Sequence, residues 1–143
     1  MDLQHSVVLF RKAILKAKAD GFQFDSLDYF PVNCCECSSY LLAKFLIEKI
    51  GFSSLRIVTG ENRHKKSQRH IWIKYDETDI DITANQFSST AKTVIVETHS
   101  RWHQRFKIIK VEKPKPKLTH LNQEAKSALL HDYKKILSYL YSQ

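Results

Sequence analysis

The sequence predicts an α+β fold in which a helix that begins with cysteines packs on an antiparallel sheet. Two alternating segments, His70–Tyr75 and Asp79–Thr83, are separated by Asp76 and Glu77, as in a β-hairpin. Helical patterns also lie near both ends of the chain. After the cysteines, apolar residues recur at helical spacing at Leu41, Leu42, Phe45, Leu46 and Ile50.

Length and composition predict one domain over residues 1–143. The chain has 143 residues and is 43% hydrophobic, which is enough for one substantial core. It contains no apolar stretch long enough for a membrane span or a secretory signal. We therefore expect a soluble cytoplasmic protein without a membrane partner, or one released by a route that needs no signal peptide.

The flanking elements are predicted to support the core. An N-terminal helix ends near Asp20 and Gly21, strands cover 93–97 and 106–112, and a Pro-Lys segment at 113–117 is extended and solvated. A C-terminal helix follows at 119–141. The N-terminal helix is predicted from apolar residues at Leu3, Val7, Phe10 and Ile14.

The cysteine-rich helix is predicted to begin at Asn33 as N-cap, with Glu36 completing a capping box, and to end at Gly51. Cys34, Cys35 and Cys37 then lie in its first turn. At about 100° per residue, Cys35 is centred on the apolar stripe, Cys34 lies at its edge and Cys37 points furthest from it. Cys35 is therefore the thiol expected to face the sheet.

The chain order of cysteine, histidine and aspartate is typical of a nucleophilic site. A helix N-terminus and a neighbouring imidazolium both favour a thiolate, and the free N–H groups of the first turn can bind an oxyanion. In the predicted hairpin Trp72 lies opposite Asp81, which leaves His70 diagonal to Asp81 at about 7 Å; a tighter register puts them directly opposite. Asp79 shares this face but is the weaker candidate.

Four motifs in order resemble the transglutaminase-like branch of the papain-like cysteine-enzyme superfamily. That branch shows G-x-C, a helix ending in Gly, an R-x-V-x-G strand, H-A-W and D-P-T. The corresponding segments of this chain lie between residues 30 and 87: Asn33-Cys34-Cys35, Arg56 to Gly60, His70-Ile71-Trp72 and Asp81-Ile82-Thr83.

The resemblance implies a papain-like core with Cys35 as nucleophile, His70 as base and Asp81 as the residue that orients it. It implies an amide hydrolase or acyl transferase, of peptidase, protein-glutamine deamidase or transglutaminase type, with a thioester intermediate and no cofactor. A protein or peptide is the expected substrate. We expect Trp72 to pack in the core and secondarily to line the substrate, with Gln86 and Asn33 as further contacts.

Other classes of function stay open at this point. The formal charge is +8, and a basic loop formed by Arg63, His64, Lys65, Lys66 and Arg69 precedes His70. A catalytically silent domain of the same fold could use this loop for a protein or nucleic-acid partner. An acidic partner fits the loop, whereas nucleic acid is not expected because no recognition motif accompanies it.

We predict no metal site among the cysteines and histidines. Zinc held by the three cysteines with His64 or His70 is the less favoured interpretation, because the cysteines lack the separated pairs of usual structural sites, but a zinc-supported structural domain stays open as an alternative. Three cysteines this close suggest reduced thiols. His64, His99 and His103 fall in polar segments, where we expect them to be exposed.

Overall fold

The structure, a computed structural model, describes residues 2–142 and confirms an α+β architecture. The predicted domain 1–143 extends one residue beyond this range at each end. Within residues 2–142 the strands are β1 Leu55–Asn62, β2 Lys65–Tyr75, β3 Thr78–Asp81, β4 Ile95–Thr98 and β5 Phe106–Glu112. The helices are α1 Leu3–Lys18, α2 Cys35–Phe45 and α3 Gln123–Tyr141, and α2 continues as a π-helical turn over Leu46–Ile50.

The five described strands form one antiparallel sheet in the order β4-β3-β2-β1-β5. Helix α2 packs on β2 and β1, and α1 packs on α3. The helices share one core, in which Phe10 of α1 stacks on Phe45 of α2 with ring centroids 5.0 Å apart. The predicted helix on an antiparallel sheet is therefore present, and the two terminal helices pack on each other.

Helix α2 lies at the centre of the molecule, where nearly all of its side chains are buried. Cys37, predicted to point furthest from the apolar stripe, is nevertheless buried, because α2 has the sheet on one side and the core shared with α1 and α3 on the other. Cys37 is 9% exposed. The predicted end of the helix at Gly51 is confirmed: Gly51 has φ +92°, and Phe52 N–H donates to Leu46 O at 2.9 Å.

The outer elements differ from the prediction at their boundaries. Helix α3 begins at Gln123, not 119, because Asn122 is its N-cap and accepts a hydrogen bond from Ala125 N–H at 2.8 Å. Strand β4 begins at Ile95, two residues after its predicted start, whereas β5 matches its predicted range. The buried Asp132 of α3 accepts hydrogen bonds from the N–H groups of Gln23 and Phe24.

The β2–β3 hairpin has the wider of the two predicted registers. Lys74 pairs with Asp79 across the two-residue turn, where Asp76 has φ +51°. Continuing this register brings Trp72 opposite Asp81 and His70 to the diagonal position. The tighter register is wrong.

The basic loop is a second hairpin. Strand β2 starts at Lys65, five residues before the predicted start, and pairs with β1 as far as Asn62. Arg63 and His64 therefore form its turn, and Lys65, Lys66 and Arg69 lie on a strand. We call these five residues the basic hairpin.

The sheet face opposite α2 carries a smaller core at the end that holds His70. Val58, Trp72 and Phe106 form it, and Phe87 and Trp102 pack on its edge. A 3₁₀ turn over Trp102–Arg105 covers this end. Among the described residues, no helix is both long and apolar enough to span a membrane.

Candidate active site

Cys35 is the first residue of α2, and Cys34 is its N-cap. The predicted Asn33 cap and its capping box with Glu36 are wrong, because Asn33 has φ +54°, outside the extended region that an N-cap adopts. The first hydrogen bond of the helix runs from Ser38 N–H to Cys34 O at 3.0 Å. The N–H groups of residues 35–37 are therefore without acceptors inside the helix, as at any helix start.

His70 and Asp81 meet as the hairpin predicts. His70 Nε2 lies 2.6 Å from Asp81 Oδ2, and both side chains are fully buried, at 0% and 1% exposure. With Nε2 engaged by the carboxylate, Nδ1 is the ring nitrogen that remains for a reacting group. Their contact is observed, whereas their catalytic roles stay predictions.

The electrostatic environment of His70 favours its charged form. Burial alone would lower the pKa of His70, but the charge and hydrogen bond of Asp81, aided by the Cys35 side chain, raise this pKa to about 9. At neutral pH His70 is therefore an imidazolium whose environment includes both Asp81 and Cys35. Cys35 itself is half-buried, while Cys34 and Cys37 are buried.

His103 is a second histidine of the site and was missed from the sequence. The expectation that it is exposed is wrong: it is 3% exposed, and its Nε2 lies 2.6 Å from the same Asp81 Oδ2 that binds His70. The physical reason is the 3₁₀ turn that folds the segment after Ser100 back onto the sheet. His64 and His99 are exposed as expected.

Asp81 accepts hydrogen bonds on both oxygens. Besides the two imidazoles on Oδ2, Thr83 N–H donates to Oδ1 at 2.8 Å. Burial alone would raise the pKa of Asp81, but His70 and His103 outweigh burial and hold the pKa of this carboxyl well below its usual range. Asp81 is therefore a fixed anion between two rings.

A second buried aspartate positions the elements around Asp81. Asp79 accepts hydrogen bonds from Trp72 Nε1 at 2.8 Å and from Ser100 N–H at 3.0 Å. Ser100 Oγ in turn lies 2.7 Å from His103 Nδ1. The weaker acidic candidate of the hairpin thus supports Asp81 from a distance, through Ser100 and His103.

Aromatic rings enclose the imidazole of His70. Ring centroids of Trp72, Phe87, Trp102 and Phe106 lie 5.1–5.7 Å from it. Trp72 is 1% exposed, which is the core-packing role expected first, and its contact with substrate stays a prediction. The rings exclude water and hold the histidine in one orientation.

Gln86 connects the segment before α2 to His70. Its Oε1 accepts a hydrogen bond from Asn33 N–H at 3.3 Å, and its Nε2 lies 3.5 Å from His70 Nδ1. The two predicted substrate-contacting residues, Asn33 and Gln86, therefore lie next to each other, on the Nδ1 side of His70. Substrate binding by either residue stays a prediction.

One group of described side chains has donor atoms close enough for a metal ion: His70, Asp81 and His103. Zinc held by nitrogen and oxygen at about 2.1 Å separates neighbouring donors by about 3.3 Å. The observed 2.6 Å separations are hydrogen-bond distances. The group is therefore arranged as a hydrogen-bonded cluster, and a metal would have to spread it.

The basic hairpin is exposed to solvent. Arg69 is 3.7 Å from Glu61, and Arg63 Nε donates to Gln104 O at 3.0 Å. Most of its charge is thus available to a partner.

Comparison with protein-family models, with curated proteins and with solved structures gives no match to the chain.

Proposed function

We propose that this protein is a cysteine-dependent amide hydrolase or acyl transferase with a papain-like, transglutaminase-like core. The observation that carries the proposal is the Asp81–His70–Cys35 arrangement. A buried carboxylate binds one nitrogen of an imidazole, and the cysteine that affects the pKa of this imidazole begins a helix. These are the parts that activate a thiol nucleophile.

The reaction begins with the Cys35 thiolate and the His70 imidazolium as an ion pair. The sulfur attacks the carbonyl carbon of an amide, and the oxyanion accepts hydrogen bonds from the N–H groups of the first turn of α2. His70 then gives its proton to the departing amine, which leaves a thioester on Cys35. Water or a second amine, deprotonated by His70, releases the acyl group.

Asp81 has the role of holding His70 in one tautomer and orientation throughout. It stays anionic because its hydrogen bonds to two imidazoles and Thr83 favour the charged form. His103 has the role of keeping Asp81 from rotating. The proposed mechanism needs no cofactor, and its substrate is a protein or peptide.

The test is covalent trapping by an electrophile that resembles the substrate. A diazoketone analogue of glutamine, added to the reduced full-length protein, is expected to modify Cys35, as mapped by peptide mass spectrometry. Cys37→Ser is the matched control and should still be labelled at Cys35, whereas His70→Ala should be labelled far more slowly. Labelling spread evenly over the three cysteines would contradict the proposal.

A second candidate function is a silent binding domain that recognises an acidic partner. The exposed basic hairpin favours it, since most of its cations have no acidic side chain nearby among the described residues. The two candidates differ in one readout. A silent domain has no need for selective reactivity at Cys35, so the trapping experiment separates them.

A further inference from the structure

The proposed mechanism uses Cys35 and leaves two thiols of the same turn without a role. Cys34 is 2% exposed and Cys37 is 9% exposed. Both side chains belong to the main core, and all three cysteines are free thiols. These two buried thiols lie on either side of the proposed nucleophile in the chain, and they are close enough to react with each other.

Their spacing suits a disulfide, whereas other pairings of the three do not. Residues three apart on an α-helix have Cα atoms about 5 Å apart and side chains about 60° apart in direction, and a disulfide bridges Cα separations of about 4.4–6.8 Å. Adjacent Cys34 and Cys35 are at about 3.8 Å, below this range. Cys35 and Cys37 point about 160° apart.

Local contacts hold the two side chains together. Cys37 Sγ donates to the Cys34 carbonyl at 3.5 Å, and its side chain also interacts directly with that of Cys34. The same carbonyl accepts hydrogen bonds from Ser38 N–H at 3.0 Å and Ser38 Oγ at 2.6 Å. The Cys34 backbone is therefore fixed, with the Cys37 sulfur beside it.

The hydrogen bond between the two thiols, with two fixed cations near Cys34, makes their pKa values unequal. The interaction with Cys37 lowers the pKa of Cys34, burial works against this, and Lys18 and Arg11 lower it further. Both cations are held in place: Lys18 Nζ donates to Phe30 O at 2.8 Å and Arg11 Nε to Ile82 O at 3.1 Å. The hydrogen bond and burial raise the pKa of Cys37. Cys34 thus ionises first, and Cys37 keeps its proton.

We propose that Cys34 and Cys37 are a redox site that closes to a reversible disulfide with hydrogen peroxide as oxidant. The site is separate from the function proposed for Cys35. A small oxidant is required because Cys34 is nearly inaccessible, and a tripeptide disulfide such as oxidised glutathione is too large to reach it.

The oxidation has two balanced steps. The Cys34 thiolate attacks one peroxide oxygen, and the O–O bond breaks. Hydroxide is the leaving group, and Cys34 becomes a sulfenic acid. The Cys37 sulfur then attacks the Cys34 sulfur, the S–O bond breaks, and the leaving hydroxide takes the Cys37 proton as water. In total, two thiols and one peroxide give one disulfide and two waters, and a dithiol reductant reverses the change.

The experiment uses full-length Cys35→Ala protein, so that its outcome does not depend on the proposed nucleophile. The reduced protein is treated with peroxide and unfolded in denaturant, free thiols are then blocked with iodoacetamide, and the disulfide is reduced and labelled with N-ethylmaleimide. We expect N-ethylmaleimide on both Cys34 and Cys37, and an intact mass lower by two hydrogens before reduction. Cys34→Ser and Cys37→Ser controls, checked for folding by circular dichroism, should show neither.

Two outcomes would overturn the proposal. One is separate oxidation of Cys34 and Cys37 to sulfinic acids, or their full blocking by iodoacetamide after peroxide treatment. The other is a mixed disulfide at Cys34 formed by oxidised glutathione as fast as peroxide reacts, which would contradict the small-oxidant requirement. In the wild-type protein, Cys35 should remain outside the disulfide.

Discussion

His103 Nε2 lies 2.6 Å from Asp81 Oδ2, the oxygen that also binds His70. A single carboxylate oxygen therefore accepts hydrogen bonds from two imidazoles, and Thr83 N–H binds the other oxygen. Because each donor restrains the carboxylate, Asp81 cannot rotate away from His70 without losing several hydrogen bonds in a buried site. The orientation of His70 thus depends on a residue more than thirty positions away in the chain.

The charge state of His70 is the first prediction. Its NMR titration should show a pKa near 9, because Asp81 and Cys35 outweigh burial. In Asp81→Asn the pKa should fall to or below the ordinary value of about 6.5, since burial is then opposed by less negative charge. An unchanged pKa in Asp81→Asn would contradict the assigned cause.

The same shift predicts how stability depends on pH. The pKa of His70 is raised on folding, so its contribution is fully present below about pH 6.5 and is lost as pH rises through about 9. For a shift of this size it amounts to about 3 kcal/mol. Melting temperatures should therefore fall between pH 6.5 and 9.5 in the wild type, and more steeply than in His70→Gln. If the melting temperatures of the wild type and His70→Gln fell equally steeply with pH, the raised pKa of His70 would not contribute to stability.

The Cys-His-Asp arrangement predicts a pattern of activity in variants. Cys35→Ala and His70→Ala should each abolish turnover of a chromogenic amide or ester, and the double variant should lose no more, because the two groups act in one step. Asp81→Asn should keep a measurable remnant, since it orients rather than reacts. Melting temperatures measured in parallel separate catalytic loss from unfolding. Full activity in folded Cys35→Ala would make Cys34 the next nucleophile to test.

Gly60 is predicted to be required for the packing beside His70. A Cβ at this position would lie 2.6 Å from Phe106 Cβ and 2.8 Å from the Trp72 ring. Gly60→Ala should therefore lower the free energy of unfolding by about 1–3 kcal/mol and slow the labelling of Cys35. Gly51→Ala is the control: it has φ +92° with no atom within 4 Å, so it should lower stability without affecting labelling.

The basic hairpin is predicted to guide acidic partners. Replacing Arg63, Lys65, Lys66 and Arg69 with serine should weaken binding of an oligoglutamate peptide at low salt, while circular dichroism shows a retained fold. The Arg69–Glu61 pair is exposed, so its loss should cost less than about 1 kcal/mol. Wild-type binding that does not weaken as salt is added would show that the hairpin is only solvated surface.

The predictable part of the site depends on local geometry. A two-residue turn at Asp76 and Glu77 determines which residues of β2 and β3 share a face, so the contact of His70 with Asp81 follows from the pattern alone. The helix after the cysteines follows equally from its apolar spacing and from Gly51.

The missed part depends on packing between distant segments. His103 lies in a short 3₁₀ turn with no periodic pattern, and its burial results from that turn covering the sheet face around Trp72. The cluster of aromatic residues at Trp102 and Phe106 was the signal that this segment is not a solvated loop. Asn33 was misplaced because its left-handed conformation depends on the preceding turn, not on its capping propensity.

Selective alkylation of the three cysteines tests the central claim most directly. Reduced wild-type protein is treated with limiting iodoacetamide at neutral pH, and the rate of modification of each cysteine is measured by peptide mass spectrometry. The account predicts that Cys35 reacts well before the buried Cys34 and Cys37, and that His70→Ala slows Cys35 alone. Equal rates for all three, or a Cys35 rate unchanged in folded His70→Ala, would contradict it.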